Sequence, residues 1–538
     1  MRTPPGVSGE RFQRALRQFT DAVGADFVYT SDADVDLYRD AYSPFRGEAE
    51  EIVASAAVAP DGVEQVQQVM RIANEHRIPI YPVSTGKNLG YGGSAPVLSG
   101  SVVLDLKRMN RIIEVNERNA CALVEPGVSY FDLYRHISEK GYRLWIDSPD
   151  PGWGGLIGNA LDHGAGYTVL PMRDHFDAHC GMEVVLANGE IVRTGMGALP
   201  GAQTWQQFHY GIGPYVDGLF SQSNFGVVTK MGFWLYPEPE AHRSGSVFVP
   251  KHDDIHAFVD ILCYLTNSGI CDSTVQFDSP LINAADRDAA VAAVVKRRGG
   301  AAPSDWDRIA AERGLMSWGT KFHFYGPPKV IDARWEYVRE RFSAIPGVKF
   351  EEGSAHRFPL TRAQAEQVDP ADKVKLGIPS LQIFAFGARS QDNPNPTSGH
   401  MWFSPVVPMS GDGLLEARRV FNDAFAEWGV APLGRGLPES FHARTFLFLY
   451  GFQVSANAAE NRRNRDTFRR MIQLAADHGW GEYRTHPAYM EPVTDVYSFN
   501  DHALKRLHES LKDAIDPNGI ISAGRYGIWP RHLRRPRA

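Results

Sequence analysis

Apolar positions follow two patterns along the chain, and the pattern changes near residue 240. Up to that point short apolar runs predominate, which is typical of β-strands. The predicted strands are IPIYPVS, SVVLDL, RIIEVN, CALVEPG and FGVVTKMGFWLYPEP. The segment EVVLANGEIVRTG is predicted to be a hairpin, because Asn188-Gly189 joins two alternating runs. The first 240 residues are therefore expected to be α+β, with many strands and few helices.

Two helices are predicted within this first part. Over residues 61–76, three valines and an isoleucine recur at helical spacing, and Asp61 with Glu64 resembles a capping box. The segment SYFDLYRHISEKG has Ser129 in position to be the N-cap and Asp132 at the third helical position.

Longer helices alternate with strands after Pro237-Glu238-Pro239. The predicted helices are DDIHAFVDILCYLTNSG, VIDARWEYVRERF, GLLEARRVFNDAFAEWG and AENRRNRDTFRRMIQLAADHG. The predicted strands are STVQF, KFHFY, MWFSPVVP and FLFLYGFQVS, with SQDNPNPTSG as a loop before the third. Repeated strand–helix units indicate an antiparallel sheet covered by helices on one face. From Tyr483 onward the pieces are short again, and this last segment is expected to fold back onto the first domain.

The bulk composition narrows the function classes. A chain of 538 residues can form more than one core, and 43% hydrophobic with 22% charged residues is ordinary for a soluble globular protein. The net charge of −7 argues against nucleic acid as the main partner, and the basic end RHLRRPRA is interpreted as a solvated tail. The four cysteines lie far apart, which favours neither a disulfide framework nor a zinc site.

The sequence shows no signal peptide and no long apolar run that would span a membrane. A cytoplasmic location without membrane contact is therefore expected.

Three features are interpreted as having no catalytic role. The stretch from Gly90 to Ala95 matches a dinucleotide fingerprint, but Pro96 and a turn-like segment follow where that motif needs a helix. His175 and His179 have the spacing of paired metal ligands, but no third ligand is near, so a surface or structural pair is favoured and no metal is expected. The arginine-rich segment 462–470 is interpreted as a solvated helix face.

Five clusters carry candidate chemistry. They are a glycine-rich loop at 82–93, a Pro- and Gly-rich turn at 147–159, a polar turn at 223–229, a histidine opening an apolar strand at 398–405, and GEYRTH at 481–486. Backbone N–H groups of the first loop can form an anion nest for a pyrophosphate. Each cluster alone also has a plain alternative: a simple turn, an Asx-turn, a structural histidine or a surface Tyr-Arg pair.

The clusters together resemble the vanillyl-alcohol oxidase/p-cresol methylhydroxylase flavoprotein family, and most closely its bacterial eugenol-oxidising members. The stretches that carry the resemblance are YPVSTGKNLGYGGSAPVLSGSVV, RTGMGALPG, QSNFGVVTKMG, GEYRTH and DPNGII…GIWP. The resemblance implies a two-domain α+β fold with a ferredoxin-like cap over the flavin ring. Residues 1–243 would start the FAD-binding domain, 244–482 would form the cap, and 483–538 would return to the first domain.

The resemblance also implies the cofactor and its site. FAD would be bound covalently through an 8α-histidyl link to His400, where cytochrome-coupled relatives use a tyrosine that the loop before His400 lacks. Arg525 would lie near the N1–C2=O end of the flavin. The further implied cofactor-binding residues are Pro82, Ser84, Thr85, Gly86, Lys87, Asn88, Gly90, Tyr91, Pro149, Asp150, Gly155, Gly158, Asn159, Ser223, Asn224, Gly226 and Val228. The histidine that assists flavin attachment in the fungal member has no counterpart in RDAYSPFRGE.

The implied reaction is oxidation of para-substituted phenols, with Tyr91, Tyr483 and Arg484 binding the phenolate and Asp150 as the acid/base. Substrates would be 4-alkylphenols, eugenol-like 4-allylphenols and vanillyl-type alcohols, with O₂ reduced to H₂O₂. A dehydrogenase that uses a cytochrome or other acceptor is the alternative, and a non-catalytic flavin-binding protein is a third. A homodimer or larger homo-oligomer is expected. Pocket walls are expected from the cap, near His442, Phe446 and Phe386.

Overall fold

The computed structural model describes residues 2–88, 90–169, 172–382, 398–434 and 436–534. The helices are α1 (Gly9–Val23), α2 (Asp32–Asp36), α3 (Val63–His76), α4 (Tyr130–Lys140), α5 (Leu156–Leu161), α6 (Asp254–Asn267), α7 (Pro280–Ala284), α8 (Ala289–Val295), α9 (Pro303–Arg313), α10 (Pro328–Phe342), α11 (Arg362–Gln367), α12 (Gly411–Trp428), α13 (Ala458–Asp477), α14 (Met490–Asp495) and α15 (Phe499–Ile515).

The strands are β1 (Val28–Tyr29), β2 (Ala56–Val58), β3 (Ile80–Val83), β4 (Val102–Asp105), β5 (Ile112–Asn116), β6 (Cys121–Val124), β7 (Leu144–Trp145), β8 (His179–Val185), β9 (Ile191–Arg193), β10 (Val227–Trp234), β11 (Tyr236–Pro237), β12 (Ala241–Val249), β13 (Val275–Asp278), β14 (Trp318–Gly326), β15 (Lys349–Arg357), β16 (Ser398–Phe403), β17 (Val406–Pro408), β18 (Pro438–Ser440), β19 (Thr445–Phe448) and β20 (Tyr450–Ser455).

Two sheets make up the first part of the chain. One has the order β1-β2-β4-β3, with β2, β4 and β3 parallel, and the other has the antiparallel order β5-β6-β10-β8-β9. The predicted hairpin is confirmed, because Val185 pairs with Ile191. The α+β character predicted for this part is therefore confirmed.

The two predicted helices of this part are confirmed, but only one has its predicted cap. Ser129 and Asp132 form the expected reciprocal capping box on α4. The box predicted at Asp61 and Glu64 is wrong, because the N-cap of α3 is Gly62. The Asp61 N–H instead donates to the side chain of Gln65 at 2.9 Å.

A seven-stranded antiparallel sheet, in the order β15-β12-β14-β13-β18-β19-β17, dominates the second part. Helices α6, α10 and α12 pack against its strands around one apolar core that includes Phe258, Trp335 and Phe421. The predicted antiparallel sheet with packed helices is therefore confirmed.

Two segments predicted as single strands are each split in two. MWFSPVVP forms β16 and then β17, and FLFLYGFQVS forms β19 and then β20. Strands β16 and β20 pair as a separate two-stranded sheet, while β17 and β19 pair within the large sheet. Proline has no N–H for a ladder, so Pro405 ends the first pairing and lets the chain change sheets.

The C-terminal segment contacts the first part of the chain, as expected. The N–H of Ile80 donates to the Ile520 carbonyl at 2.6 Å, and the N–H of Ser522 donates to the Ile80 carbonyl at 2.7 Å. Buried Lys512 donates to the carbonyls of Asn224 and Ile521. The proposed boundary at 243/244 falls within β12, so both domain boundaries stay predictions.

The arginine-rich face of α13 is only partly solvated, which corrects the prediction for 462–470. Arg465 is buried and donates to the Pro44 carbonyl and to Glu48, and Arg462 also reaches Glu48. These contacts attach α13 to the N-terminal region. Within the described residues, no helix is long and apolar enough to cross a membrane.

Candidate active site

A cavity lies where the Gly-rich loop after β3, the turn at 147–159, the start of β10, strand β16 and the segment after residue 483 meet. Nineteen of the predicted site residues line it: Pro82, Ser84, Thr85, Gly86, Lys87, Asn88, Tyr91, Pro149, Asp150, Gly155, Gly158, Asn159, Ser223, Gly226, Val228, His400, Tyr483, Arg484 and Arg525. Segments far apart in sequence therefore converge on one site.

Two predicted residues, Gly90 and Asn224, are not among those that line the cavity. Gly90 has φ +83°, and a Cβ there would lie 2.6 Å from Trp402 Cδ1 and 3.1 Å from His400 Cδ2. The amide of Asn224 donates to the carbonyls of Ser522 (3.1 Å) and Ile528 (2.8 Å). Gly90 thus allows His400 to approach the loop, and Asn224 holds the C-terminal segment.

The glycine-rich loop packs closely against the turn at 147–159. A Cβ on Gly158 would clash with Ser84 Oγ, and a Cβ on Gly155 would lie 3.0 Å from the same atom, so glycine at both positions leaves room for the Ser84 side chain. No helix follows in the described part of 84–101, so the dinucleotide-fingerprint interpretation is excluded as predicted. The loop presents backbone and small side chains to the cavity, as a phosphate-binding loop requires.

Tyr91, Tyr483 and Arg484 form one cluster, which we call the phenol clamp. The Tyr91 and Tyr483 rings meet edge to face at 6.3 Å, and the Arg484 guanidinium carbon lies 4.0 Å from the Tyr91 ring and 5.2 Å from the Tyr483 ring. Tyr91 Oη also hydrogen-bonds Ser404 Oγ at 2.7 Å. Arg484 Nε and Nη1 are buried without a protein partner. The predicted alternative of a surface Tyr-Arg pair is therefore wrong.

Burial dominates the electrostatics of the phenol clamp. It raises the pKa of Tyr91 well above the usual value, with Tyr483 adding to the effect. Burial also raises the pKa of Tyr483, although Arg484 opposes the shift. For Arg484, burial alone lowers the pKa, but Tyr483, Tyr91 and Asp162 outweigh it and raise the pKa. At neutral pH the clamp therefore holds two neutral phenols and one cation.

The turn at 147–159 separates two aspartates with different surroundings. Asp147 is buried, and its carboxylate accepts from the N–H groups of Tyr167 and Thr168 and pairs with His175 Nε2 at 2.9 Å. Asp150 lines the cavity, and its charge adds to burial in raising the pKa of Tyr167. Asp147 thus fixes the turn, and Asp150 is the one of these two aspartates that lines the cavity.

His175 and His179 are a structural pair, one of the two predicted alternatives. Both are buried, and they face different carboxylates, since His179 Nε2 lies 3.1 Å from Asp217. Among the described residues no group of three or more His, Cys, Asp or Glu side chains is arranged to hold a metal ion.

His400 is not the satisfied structural histidine that its position alone suggests. It lines the cavity, is 2% exposed, and its Nδ1 has no hydrogen-bond partner. Its ring lies 5.3 Å from the Tyr42 ring and 4.8 Å from the Trp402 ring. Burial lowers the pKa of His400 to about 4. The imidazole is therefore neutral at pH 7, with one nitrogen open to form a bond.

Comparison with known proteins gives the family. An FAD binding domain model matches residues 54–195. The 4-cresol dehydrogenase [hydroxylating] flavoprotein subunit of Pseudomonas putida is 34% identical over 98% of this chain and 97% of that protein. The chain belongs to the vanillyl-alcohol oxidase/p-cresol methylhydroxylase flavoprotein family.

Solved members of this flavoprotein family share the whole fold. A 4-ethylphenol oxidase from Gulosibacter chungangensis in complex with isoeugenol is 34% identical, covers 99% of this chain and 100% of its own, and superposes with a TM-score of 0.82. p-Cresol methylhydroxylase with substrate bound is 33% identical, covers 98% and 99%, and has a TM-score of 0.81. The two-domain α+β fold is thereby shown.

The residues around the cavity fit FAD, the cofactor of this flavoprotein family. The close-packed glycine loop lies within the matched FAD-binding segment, and Arg525 and the open nitrogen of His400 lie on the same cavity. Bound FAD would bring two-electron redox chemistry. The diphosphate would be held by the loop at 84–88, and the ring would lie among Asp150, His400 and Arg525.

The cap contributes a different wall from the one expected. Phe446 is buried in the cap core, 5.1 Å from the Phe277 ring, and His442 lies 3.3 Å from Asp174; neither lines the cavity. Phe386 is outside the described residues. The observed apolar wall includes Phe441 and Leu449.

Several lining residues escaped the sequence analysis, among them Tyr167, Trp402, Asp162 and Phe441. Trp402 belongs to an apolar strand-like run, in which nothing separates a wall residue from a core residue, and Phe441 lies in the mixed segment PESFHAR, which has no recognisable pattern. Asp162 follows the predicted turn by three positions, and its spacing from Asn159 is the one signal that could have placed it nearby.

Proposed function

We propose that the protein is an FAD-dependent oxidase of para-substituted phenols, including 4-alkylphenols, 4-allylphenols and vanillyl-type alcohols. The observation that carries this proposal is the phenol clamp: two neutral phenols and one guanidinium on the wall of an FAD-type cavity. The similar solved structures of a 4-ethylphenol oxidase and of p-cresol methylhydroxylase support the same substrate class.

The phenol clamp supplies what ionisation of the substrate needs. A free phenol has a pKa of about 10, so ionising it at pH 7 costs roughly 4 kcal/mol. Hydrogen bonds to charged groups contribute roughly 1.5–3 kcal/mol each. Arg484 has two buried nitrogens without a protein partner, and the Tyr91 and Tyr483 hydroxyls lie beside it. These three donors can together offset the cost and hold the substrate as its phenolate.

Ionisation makes the para side chain a hydride donor. The phenolate oxygen releases electron density into the ring, which enables the benzylic carbon to give up a hydride, and bound FAD would supply the two-electron acceptor for that hydride. The substrate becomes a para-quinone methide, which is an electrophile. Asp150 on the cavity wall can accept a proton from water that adds to the benzylic carbon, or from the hydroxyl of an alcohol substrate. Arg484 can pair with the phenolate before the hydride leaves and again after water has added, and it can donate to the carbonyl oxygen of the neutral quinone methide in between.

We further propose that His400 carries the flavin covalently. Its support is a neutral imidazole with an unpartnered Nδ1 on the cavity wall. His400→Ala should release FAD into the supernatant on acid precipitation, whereas the wild type should keep it in the pellet. Flavin that stays attached to the His400→Ala chain would place the link elsewhere.

Oxygen is proposed as the electron acceptor. The family resemblance implies that His400 stands at the flavin attachment position, where cytochrome-coupled relatives would have a tyrosine, and a 4-ethylphenol oxidase is among the similar solved structures. The dehydrogenase alternative is supported by the 34% identical 4-cresol dehydrogenase subunit. The test is to reduce the protein anaerobically with 4-ethylphenol and then admit air. Rapid reoxidation with one H₂O₂ per flavin supports the oxidase, and a reduced flavin stable in air but oxidised by a cytochrome supports the alternative.

Other aspects of the working protein stay proposals. We propose the domain division at 243/244 and 482/483, a homodimeric or larger assembly, and a cytoplasmic location. A flavin-binding protein without catalysis is the remaining alternative, and it predicts no bleaching of the flavin with any phenol. Light scattering of the purified protein would give the assembly directly.

A further inference from the structure

Asp162 joins three distant segments at the cavity wall. It follows the last residue of α5 and is 2% exposed. Asn88 Nδ2 donates to its Oδ2 at 2.6 Å, while Arg525 Nη2 (3.1 Å) and the Tyr526 hydroxyl (2.5 Å) donate to its Oδ1. Arg525 also donates to Tyr81 Oη at 2.9 Å. One carboxylate therefore fixes a side chain of the glycine-rich loop and two side chains of the C-terminal segment.

The position of Asp162 is electrostatically unfavourable for the helix that carries it. A carboxylate at a helix C-terminus faces the negative end of the helix dipole. The compensation comes from the cavity: Asp162 is one of the groups that raise the pKa of both Arg525 and Arg484. The Asp162 charge thus stabilises the charged forms of two guanidinium groups that line the cavity. It does not stabilise the helix.

We propose that Asp162 is a positioning residue that orients Arg525 and Asn88 towards the flavin and limits the positive charge that the flavin meets. This inference rests on the proposed function and on the position near the N1–C2=O end of the ring that the family resemblance implies for Arg525. A two-electron reduction by hydride leaves additional negative charge at that end, which a nearby guanidinium stabilises. Asp162 offsets part of that guanidinium charge, and so holds the reduction potential below the value that Arg525 alone would set.

The test compares three variants by the midpoint potential of the bound flavin and by FAD content after purification. D162N keeps the shape and an acceptor oxygen but removes the charge, and D162E keeps the charge. D217N is the matched control, because Asp217 is equally buried, is paired with His179 and does not line the cavity. The potential is measured by equilibration with a reference dye, so it does not depend on turnover.

D162N should favour the reduced flavin by at least about tenfold, which for two electrons is about 30 mV in the positive direction. D162E should stay within about threefold of the wild type, and D217N should not shift the equilibrium, because Asp217 is paired with His179 and does not line the cavity. A D162N potential equal to that of the wild type, at normal FAD content, would overturn the inference. An equal shift in D217N would overturn it as well.

Loss of FAD from the variants also tests the inference. If D162N retains no FAD but D162E does, with a potential like the wild type, the charge of Asp162 is required for the site and the inference stands. If neither variant retains FAD and both FAD-free chains melt well below the FAD-free wild type, Asp162 is a folding residue only and the inference fails. If the wild-type flavin is not reduced by any phenol, it is the proposed function that fails.

Discussion

At the scale of single residues, the site is a set of buried groups without the partners that burial normally demands. Arg484 Nε and Nη1 and His400 Nδ1 are all buried and unpaired within the protein. Leaving a buried polar group unpaired costs roughly 1–3 kcal/mol. The unpaired groups of Arg484 and His400 lie at the cavity wall, which indicates that a bound ligand completes their hydrogen bonds.

Arg484 should contribute most of the phenolate binding. R484Q removes the charge that stabilises the phenolate, and the rate of flavin reduction by 4-ethylphenol should fall by about 100-fold, the equivalent of one charged hydrogen bond. The rate is measured by anaerobic stopped-flow absorbance. R465Q is the control, because Arg465 is also buried but contacts Pro44 and Glu48 away from the cavity. Similar rates in R484Q and the wild type would exclude the phenol clamp.

The sequence analysis identified site residues that stand in recognisable sequence motifs. Asp150, Tyr91 and Arg484 come from turns rich in Gly and Pro or from a charged motif, and the family resemblance gave them roles. Tyr167 and Asp162 lie in the same wall, yet their types and spacing are ordinary. Their function arises only from three-dimensional neighbours such as Asp150 and Arg525, which one sequence does not reveal.

At the scale of elements, the break at Pro405 decides the shape of the site. Strand β16 pairs with β20 and holds His400 opposite Gln453, while Ser404, just beyond that strand, reaches Tyr91. The sequence predicted one continuous strand here, because the apolar pattern continues on both sides of the proline. Pro405 lacks a backbone N–H, and the chain pairs with a different strand after it. The hydrophobic periodicity of the sequence does not reveal this change of partner.

Gly90 should be essential for the seating of β16. In G90A the new Cβ would collide with Trp402 and crowd His400, so the FAD content of the purified protein should fall by about half or more, besides the roughly 1 kcal/mol cost of a left-handed alanine. G47A is the matched control, since Gly47 also has a positive φ of +75° but nothing within 4 Å of its Cβ position. Flavin content is measured by absorbance after denaturation. Equal losses in both variants would show that backbone strain alone is responsible.

At the scale of the whole molecule, the two chain ends form one side of the site and the middle forms the other. The bonds between Ile80 and the 520–522 segment place Arg525 beside the loop at 84–88. The return of the C-terminal segment was predictable from its change of pattern. Its register was not, because the pairing depends on buried groups such as Lys512 and Asn224 that are 288 residues apart.

The stability of the molecule should fall in acid because of buried histidines. In the seven-stranded sheet, His242 Nε2 on β12 and His323 Nδ1 on β14 lie 2.9 Å apart, and burial lowers the pKa of His242 to about 3 and that of His323 well below its usual value. The unfolded chain takes up these protons near pH 6.5 and the folded chain does not. Between pH 6.5 and about 4, each histidine therefore lowers the free energy of unfolding by about 1.4 kcal/mol per pH unit.

His242→Gln isolates this effect. Glutamine can keep a hydrogen bond to His323 but binds no proton, so the melting temperature should fall less steeply between pH 6.5 and 5 than that of the wild type. Thermal unfolding is followed by circular dichroism at fixed ionic strength. Parallel curves for both proteins would mean that the His242–His323 pair does not set the acid sensitivity.

The most direct test of the account is anaerobic mixing of the flavin-loaded protein with 4-ethylphenol and, separately, with its methyl ether 4-ethylanisole, while the flavin absorbance is recorded. The two compounds have the same benzylic carbon, but only the phenol can ionise against Arg484, Tyr91 and Tyr483. The account predicts complete bleaching of the flavin by the phenol and none by the ether. Equal bleaching by both, or none by either, would contradict the claim that phenolate binding at this site drives the reaction.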